Sequence, residues 1–215
     1  MRVTPKIMRS NAIESKKSRL VLSQQQRSIV VGTLLGDGHL ETRDKGKTYR
    51  LKVEHSIGQK EYVDWLYERL TNLTGQGPKV KKRVPRNSYW FSTYSLSNFR
   101  FYGHQFYPNG KKLIPKMIRK MLTPLAIAVW FMDDGSYKSS AHKTFILHTL
   151  GYEKLDLELI RESLIQYGIK TSLHRQKDKW RVYVLSESAK RFEELVQPWI
   201  IDSMKYKLGN IEPKK

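Results

Sequence analysis

No cysteine occurs among the 215 residues, which excludes disulfides and thiolate zinc sites. Histidine is scarce: six residues, each standing alone, without the paired spacing of a zinc site. Long apolar runs are missing too. The longest uninterrupted one, Leu125 to Met132, is far too short to span a bilayer, and no signal-like apolar segment opens the chain. A membrane partner is therefore not expected. A soluble intracellular protein is, in a bacterial cytoplasm or an organelle. Acids are few: 20 Asp+Glu face 40 Lys+Arg, leaving a formal charge of +20. A surplus this large calls for a polyanion, and a nucleic-acid backbone is the usual one. The hydrophobic content, 39%, is that of a globular chain with room for one large domain or two small ones.

Residues 1–22 read as a basic arm, with Arg2, Lys6, Arg9, Lys16, Lys17 and Arg19 against Glu14 alone. It is either a disordered terminus or an ordered nucleic-acid contact. Beyond it one pattern runs twice, over 23–120 and 121–215. Ser23 with Gln26 forms a capping box before "QQQRSIVVGTLL", and Gly36 and Gly38 end that helix. Thr123 and Pro124 start a second helix, "LAIAVWFMD", which stops at Gly135. Each is followed by a related stretch, "GKTYRL" or "HKTFIL". Next comes an amphipathic helix at 59–73 (Tyr62, Leu66, Leu70, Leu73) or 153–167 (Leu157, Ile160, Leu164, Tyr167). A strand pair follows in each copy, ending in "SYWFSTYSLS" or "DKWRVYVLS". Then comes a helix capped by Ser97 or Ser186, and a basic close, "KKLIP" or "KYKLG". Two copies of one α+β unit imply a pseudo-twofold molecule, although the loop lengths differ.

The strands are predicted to present cations. In 48–55, Tyr49, Leu51 and Val53 fall on one face and Thr48, Arg50, Lys52 and Glu54 on the other. In 179–185, Trp180, Val182 and Val184 point inward, and Lys179, Arg181 and Tyr183 outward. Segment 79–86 sets Lys79, Lys81 and Arg83 together. Outer faces that are cationic rather than mixed suit a nucleic acid. A basic two-stranded ribbon fits the major groove of B-DNA but not that of A-form RNA. Double-stranded DNA is thus the expected partner. Its candidate contacts also include Arg43, Lys47, Arg86, Lys143, His148, Lys170, His174, Arg175 and Lys177.

Asp37 and Asp134 stand at the C-terminal ends of the two apolar helices, where the helix dipole disfavours a carboxylate by roughly 0.3–1 kcal/mol. The helices are apolar nearly all round, so both acids are expected to be buried against each other across the pseudo-twofold. Gly32, Gly36, Ala126 and Ala128 would permit the close approach. Like charges placed together need a cation between them, and oxygen-only ligands suit Mg²⁺, which activates water at a phosphodiester. A single Asp-Gly would be only a turn; two at equivalent positions in so basic a chain point to a site.

"VVGTLLGDG" at 30–38 and "IAVWFMDDG" at 127–135 resemble the nine-residue motif of the LAGLIDADG homing endonucleases, in the monomeric form with two motifs in one chain. "TPLAIAVWFMDDGS", "GKTY" and "KKLIP" are similar to the yeast mitochondrial intron-encoded members, and the likeness covers about residues 20 to 210. It implies an α+β fold of two pseudo-symmetric αββαββα halves, with antiparallel β-saddles on the DNA and the motif helices packed at the centre. It implies a site-specific endonuclease that cuts both strands across the minor groove, leaving short 3′ overhangs. Asp37 and Asp134 would bind Mg²⁺, with Mn²⁺ substituting and Ca²⁺ binding without cleavage. Lys112 and Lys207 would stabilise developing charge. Gly36 and Asp133 would offer backbone carbonyls to the metal, Asp134 being the carboxylate ligand because it aligns with Asp37. Val129 stands where the first motif has Gly32, so the second helix must pack differently there. A polar strand-end residue would be Glu54 in the first half, and His148 or Thr149 in the second, so the two sites would be unequal. An RNA maturase or a non-catalytic binding protein of the same fold would need neither Asp.

Overall fold

The computed structural model describes residues 14–82, 84–139 and 141–209. Helix α1 (Gln24–Leu35) starts at the predicted capping box: Ser23 Oγ accepts from Gln26 N–H at 3.1 Å and Gln26 Oε1 accepts from Ser23 N–H at 3.1 Å. Strands β1 (His39–Glu41) and β2 (Arg50–Ser56) follow, then α2 (Lys60–Leu70), β3 (Lys79–Lys81), β4 (Ser88–Ser92) and α3 (Arg100–Phe106). After a short helix α4 (Ile118–Met121) the series repeats: α5 (Pro124–Asp134), β5 (Gly135–Tyr137), β6 (Phe145–Leu147), α6 (Lys154–Ile165), β7 (Thr171–Gln176), β8 (Lys179–Val184) and α7 (Ser186–Val196). Thr123 caps α5, with Pro124 at its first position.

Each half holds a four-stranded antiparallel sheet, ordered β1-β2-β4-β3 in one and β5-β6-β8-β7 in the other. The shared order is the structural counterpart of the sequence repeat, and the expected α+β architecture of two similar halves is what forms. Helices α1 and α5 pack on each other at the centre. A Cβ built on Gly32 would lie 2.5 Å from the carbonyl oxygen of Ala126 and 2.6 Å from Val129 Cβ, so only glycine allows this approach. Val129 therefore packs into the space that Gly32 leaves, which is how the second helix does without a matching glycine. Around this axis Ile29, Leu34, Ile127, Trp130 and Phe131 are fully buried or nearly so. The amphipathic helices bury the predicted stripes, Tyr62, Leu66 and Leu70 on α2, and Leu157, Ile160 and Leu164 on α6.

Several expectations need correcting. Ser97 and Ser186 do not cap: each is the first residue of its element, and the cap positions, Leu96 and Leu185, make no side-chain cap bond. The strand expected at 79–86 stops at Lys81, and Arg83 lies outside the described residues. Of the arm, residues 1–13 also lie outside them. Its remainder is ordered: 14–19 is helical, Lys16 and Lys17 lie over the Tyr94 ring, and Asn98 Nδ2 donates to Leu20 O at 2.9 Å.

Candidate active site and nucleic-acid interface

The C-terminal ends of α1 and α5 meet side by side and bring three carboxyl groups together. They are not buried as expected. The Asp37 side chain is 52% exposed, because α1 ends one residue before Gly36 and Asp37 sits in the turn beyond. Asp134, the last residue of α5, is partly buried. The fully buried acid is Asp133. Tyr62 Oη donates to its Oδ1 at 2.7 Å, and Asp37 N–H donates to its Oδ2 at 3.1 Å. Burial, and then the charge of Asp37, push the Asp133 carboxyl up to about 7. Burial followed by the charges of Asp37 and Asp133 push Asp134 up to about 7 as well.

Both predicted lysines reach this centre. Lys112 Nζ donates to Gly36 O at 2.6 Å and Gly38 O at 3.0 Å; Lys207 Nζ donates to Met132 O at 2.5 Å and Asp133 O at 2.9 Å. Each ammonium thus covers carbonyls at the C-terminal end of one motif helix, where the dipole favours a cation. Burial draws both ammonium pKa values down, and the three carboxylates oppose that draw, Asp134 foremost for Lys112 and Asp133 foremost for Lys207. Lys112 shares a cavity of about 250 Å³ with Gly36, Asp134, His148 and Tyr152, so this centre draws on both halves.

The strand-end residues separate cleanly. Glu54 lies on the outer face, where Ser88 Oγ donates to it at 2.7 Å and Lys52 pairs with it at 3.0 Å. His55 reaches the acids. Its ring is buried edge-on against Tyr62, with Nδ1 3.5 Å from Asp37 Oδ2 and Nε2 3.6 Å from Asp133 Oδ1. Burial draws its pKa down although Asp37 opposes this. In the second half His148 takes the position beside Asp134: its backbone N–H donates to Asp134 O at 2.9 Å, and its Nε2 lies 2.9 Å from Ser136 Oγ. Thr149 turns away and donates to Trp180 O at 3.0 Å. Sequence reading missed His55, Tyr62 as a ligand of Asp133, and Tyr152, whose Oη donates to Leu35 O at 2.9 Å. Each of these two tyrosines reaches across to the opposite motif helix. For His55 a signal existed: the alternation that buries Leu51 and Val53 reaches it two residues on.

Among the described residues no group of three or more His, Cys, Asp or Glu forms a metal cluster on its own. The donors nonetheless fit a hard cation. They are the carboxylates of Asp37 and Asp134 with the carbonyls of Gly36 and Asp133, which Lys112 and Lys207 already hold, all oxygen, and burial followed by the charges of Asp37 and Asp133 pushes Asp134 up. The remaining ligands would come from water and phosphate.

The sheets present much of the predicted basic surface. In the second, Arg181, Tyr183 and His174 share the outer face, His174 stacks on Tyr183 at 4.1 Å, and Lys138 lies over the same ring. Lys179 lies at the exposed end of β8 and Lys143 in the loop before β6. Register puts Arg175 opposite Trp180, on the other face; Lys177 forms the hairpin turn; Lys170 pairs with Glu187 beside α7. The first sheet is mixed rather than purely cationic, since Arg50 pairs with Glu41 and Lys52 with Glu54. Lys79, Lys81 and Arg86 are exposed, as are Arg43 and Lys47 in the β1–β2 loop, where Thr48 is tied to Asp44.

A pseudo-twofold α+β protein with paired aspartates where two central helices converge, and one antiparallel sheet in each half, is the class defined by fold and site. Residues 27–192 match the LAGLIDADG DNA endonuclease family, and the chain belongs to that family. It is 32% identical to the cytochrome b mRNA maturase bI2 of Debaryomyces hansenii, across 95% of this chain and 80% of that protein. It is 27% identical to the DNA endonuclease I-ChuI of Chlamydomonas applanata, across 88% of this chain and 96% of that one. The solved structure of the homing endonuclease I-WcaI bound to its DNA recognition sequence superposes with a TM-score of 0.86 at 26% identity, covering 97% of this chain and 95% of the other. No helix among the described residues is long and apolar enough to cross a membrane.

Proposed function

We propose that the protein is a site-specific double-stranded DNA endonuclease that works as a monomer. It hydrolyses one phosphodiester in each strand across the minor groove of a long asymmetric target and leaves short 3′ overhangs. The observation that carries this reading is the convergence of Asp37 and Asp134 at the ends of the packed helices, with Lys112 and Lys207 beside them. A homing endonuclease bound to its DNA is a structural neighbour across nearly the whole chain.

Asp37 and Asp134 would hold Mg²⁺, with Gly36 and Asp133 carbonyls in reach. Bound there, the ion would polarise the phosphate and lower the pKa of a water. Mn²⁺ would substitute, and Ca²⁺ would bind without supporting cleavage. The chain's own part is electrostatic. Lys112 and Lys207 hold fixed positive charge where the phosphorane's charge develops, and their partial burial strengthens that interaction. The outer cations of both sheets would carry the phosphate contacts, and Arg181 and Lys179, on the outer face of β8, would read base edges.

A second reading, intron RNA maturation, is favoured by the maturase name of the Debaryomyces relative. One experiment separates the two. The protein is incubated with random-sequence duplex DNA in Mg²⁺ or in Ca²⁺, beside Asp37→Asn and Asp134→Asn, and the ends produced are sequenced. A single long site cut only in Mg²⁺ by the parent supports the endonuclease. Binding without cleavage in any metal supports the maturase.

A further inference from the structure

Facing positions of the two motifs carry unlike residues. Gly36 precedes Asp37, and Asp133 precedes Asp134. A Cβ on Gly36 would overlap the Asp133 side chain, so the carboxylate fills space that only glycine leaves. There it accepts from Tyr62 Oη and from Asp37 N–H. The Asp37 amide comes after the last turn of α1. Its neighbours Gly36 and Gly38 find Gly32 O and Thr33 O, and Asp37 N–H takes the carboxylate of the opposite half. Asp134, by contrast, is still inside α5.

The two acids are thus held by different means, one by a helix and one by a side chain from across the pseudo-twofold. Stability alone does not account for this. Burying a carboxylate costs more than one bond to a backbone amide returns. What the carboxylate adds is a fixed orientation of the Asp37 backbone. Resting on the endonuclease reading, we propose that Asp133 is a positioning residue: its buried carboxylate, held by Tyr62, latches the Asp37 backbone across the pseudo-twofold and so governs one of the two strand cuts.

The test uses Asp133→Ala and Tyr62→Phe in the full chain. Amide hydrogen exchange at Asp37, followed by NMR without metal or DNA, reads the latch directly. Single-turnover cleavage of a supercoiled plasmid carrying the selected target, resolved by strand, reads its consequence. In Asp133→Ala, which removes the acceptor that Asn would keep, the Asp37 amide exchanges at least tenfold faster while that of Asp134 is unchanged. One strand slows at least tenfold more than the other, so nicked circles accumulate, and DNA affinity is retained. Unchanged exchange, or faster exchange with both strands slowed equally, overturns the proposal. Should Asp133→Ala fail to fold, Tyr62→Phe decides: a several-fold bias between the strands supports the latch, and equal rates overturn it. A parent protein that binds DNA and never cuts it removes the endonuclease reading and the strand bias together, and the exchange measurement then decides the latch alone.

Discussion

The acids that would bind metal should destabilise the metal-free protein, and Asp134 measures by how much. Its carboxyl is pushed from the ordinary 3.8 to about 7 by burial and by the charges of Asp37 and Asp133. A carboxyl raised in the folded state keeps a proton that the unfolded chain has already lost. Stability therefore falls as pH climbs from about 4 to about 7 and levels off above. The span is about three pH units at about 1.4 kcal/mol each, an upper bound near 4 kcal/mol. Solvent reaches part of the side chain, which brings the expected penalty nearer 2 kcal/mol. Asp134→Asn removes the charge and keeps the shape. For a chain of this size, the variant should melt about 4–8 °C above the parent at pH 8 in chelator, with the gap closing towards pH 4. Adding Mg²⁺ at pH 8 should raise the parent's melting temperature and leave the variant's unchanged. Differential scanning calorimetry across pH reads both. A variant no more stable than its parent at pH 8, or a gap widest in acid, would refute the reasoning.

Three further outcomes are expected. Gly32→Ala pushes a methyl against the Ala126 carbonyl at 2.5 Å, so it should cost about 1–3 kcal/mol, seen as a lower urea midpoint, with no rescue by metal. Lys207→Met leaves the Met132 and Asp133 carbonyls without their ammonium and should slow cleavage about 10²–10³-fold in single-turnover assays, while gel-shift affinity changes little. Affinity for DNA should fall roughly 10³-fold between roughly 50 and 200 mM salt, because lysine and arginine on both sheets meet phosphates; a flat titration would contradict the surface assignment.

Much of the frame could be read before any coordinates, because the relevant signals are local. A capping box and a Thr-Pro start mark where the two motif helices begin, and glycine marks where they stop, so α1 and α5 fall where expected. The stripes of α2 and α6 follow from periodicity alone. What could not be read depends on partners distant in sequence. The buried acid is Asp133 rather than Asp37, since burial there depends on Tyr62, 71 residues away, and on the hollow beside Gly36. Ser97 and Ser186 have the residue type of a cap, but the chain enters each helix one residue earlier, at a leucine. The outer face of the first sheet is mixed because Glu41 comes opposite Arg50 only once the strands pair, whereas Glu54 already stands beside Lys52 in the alternation of a single strand.

Packing and chemistry here depend on the same few atoms. Two carboxylates can face one phosphate backbone only if the helices that bear them approach closely at their ends. That approach needs Gly32 under the Ala126 carbonyl and Gly36 beside Asp133. A duplicated motif could meet the need symmetrically, with glycine on both sides. This chain meets it with unlike pairs, Gly32 with Val129 and Gly36 with Asp133, each a hollow filled by a side chain from the other half. The second pair puts an acid where the first puts an alkyl group, and that acid, with His55 and Tyr62, makes the surroundings of Asp37 differ from those of Asp134. The asymmetry of the two centres thus begins in how the central helices pack.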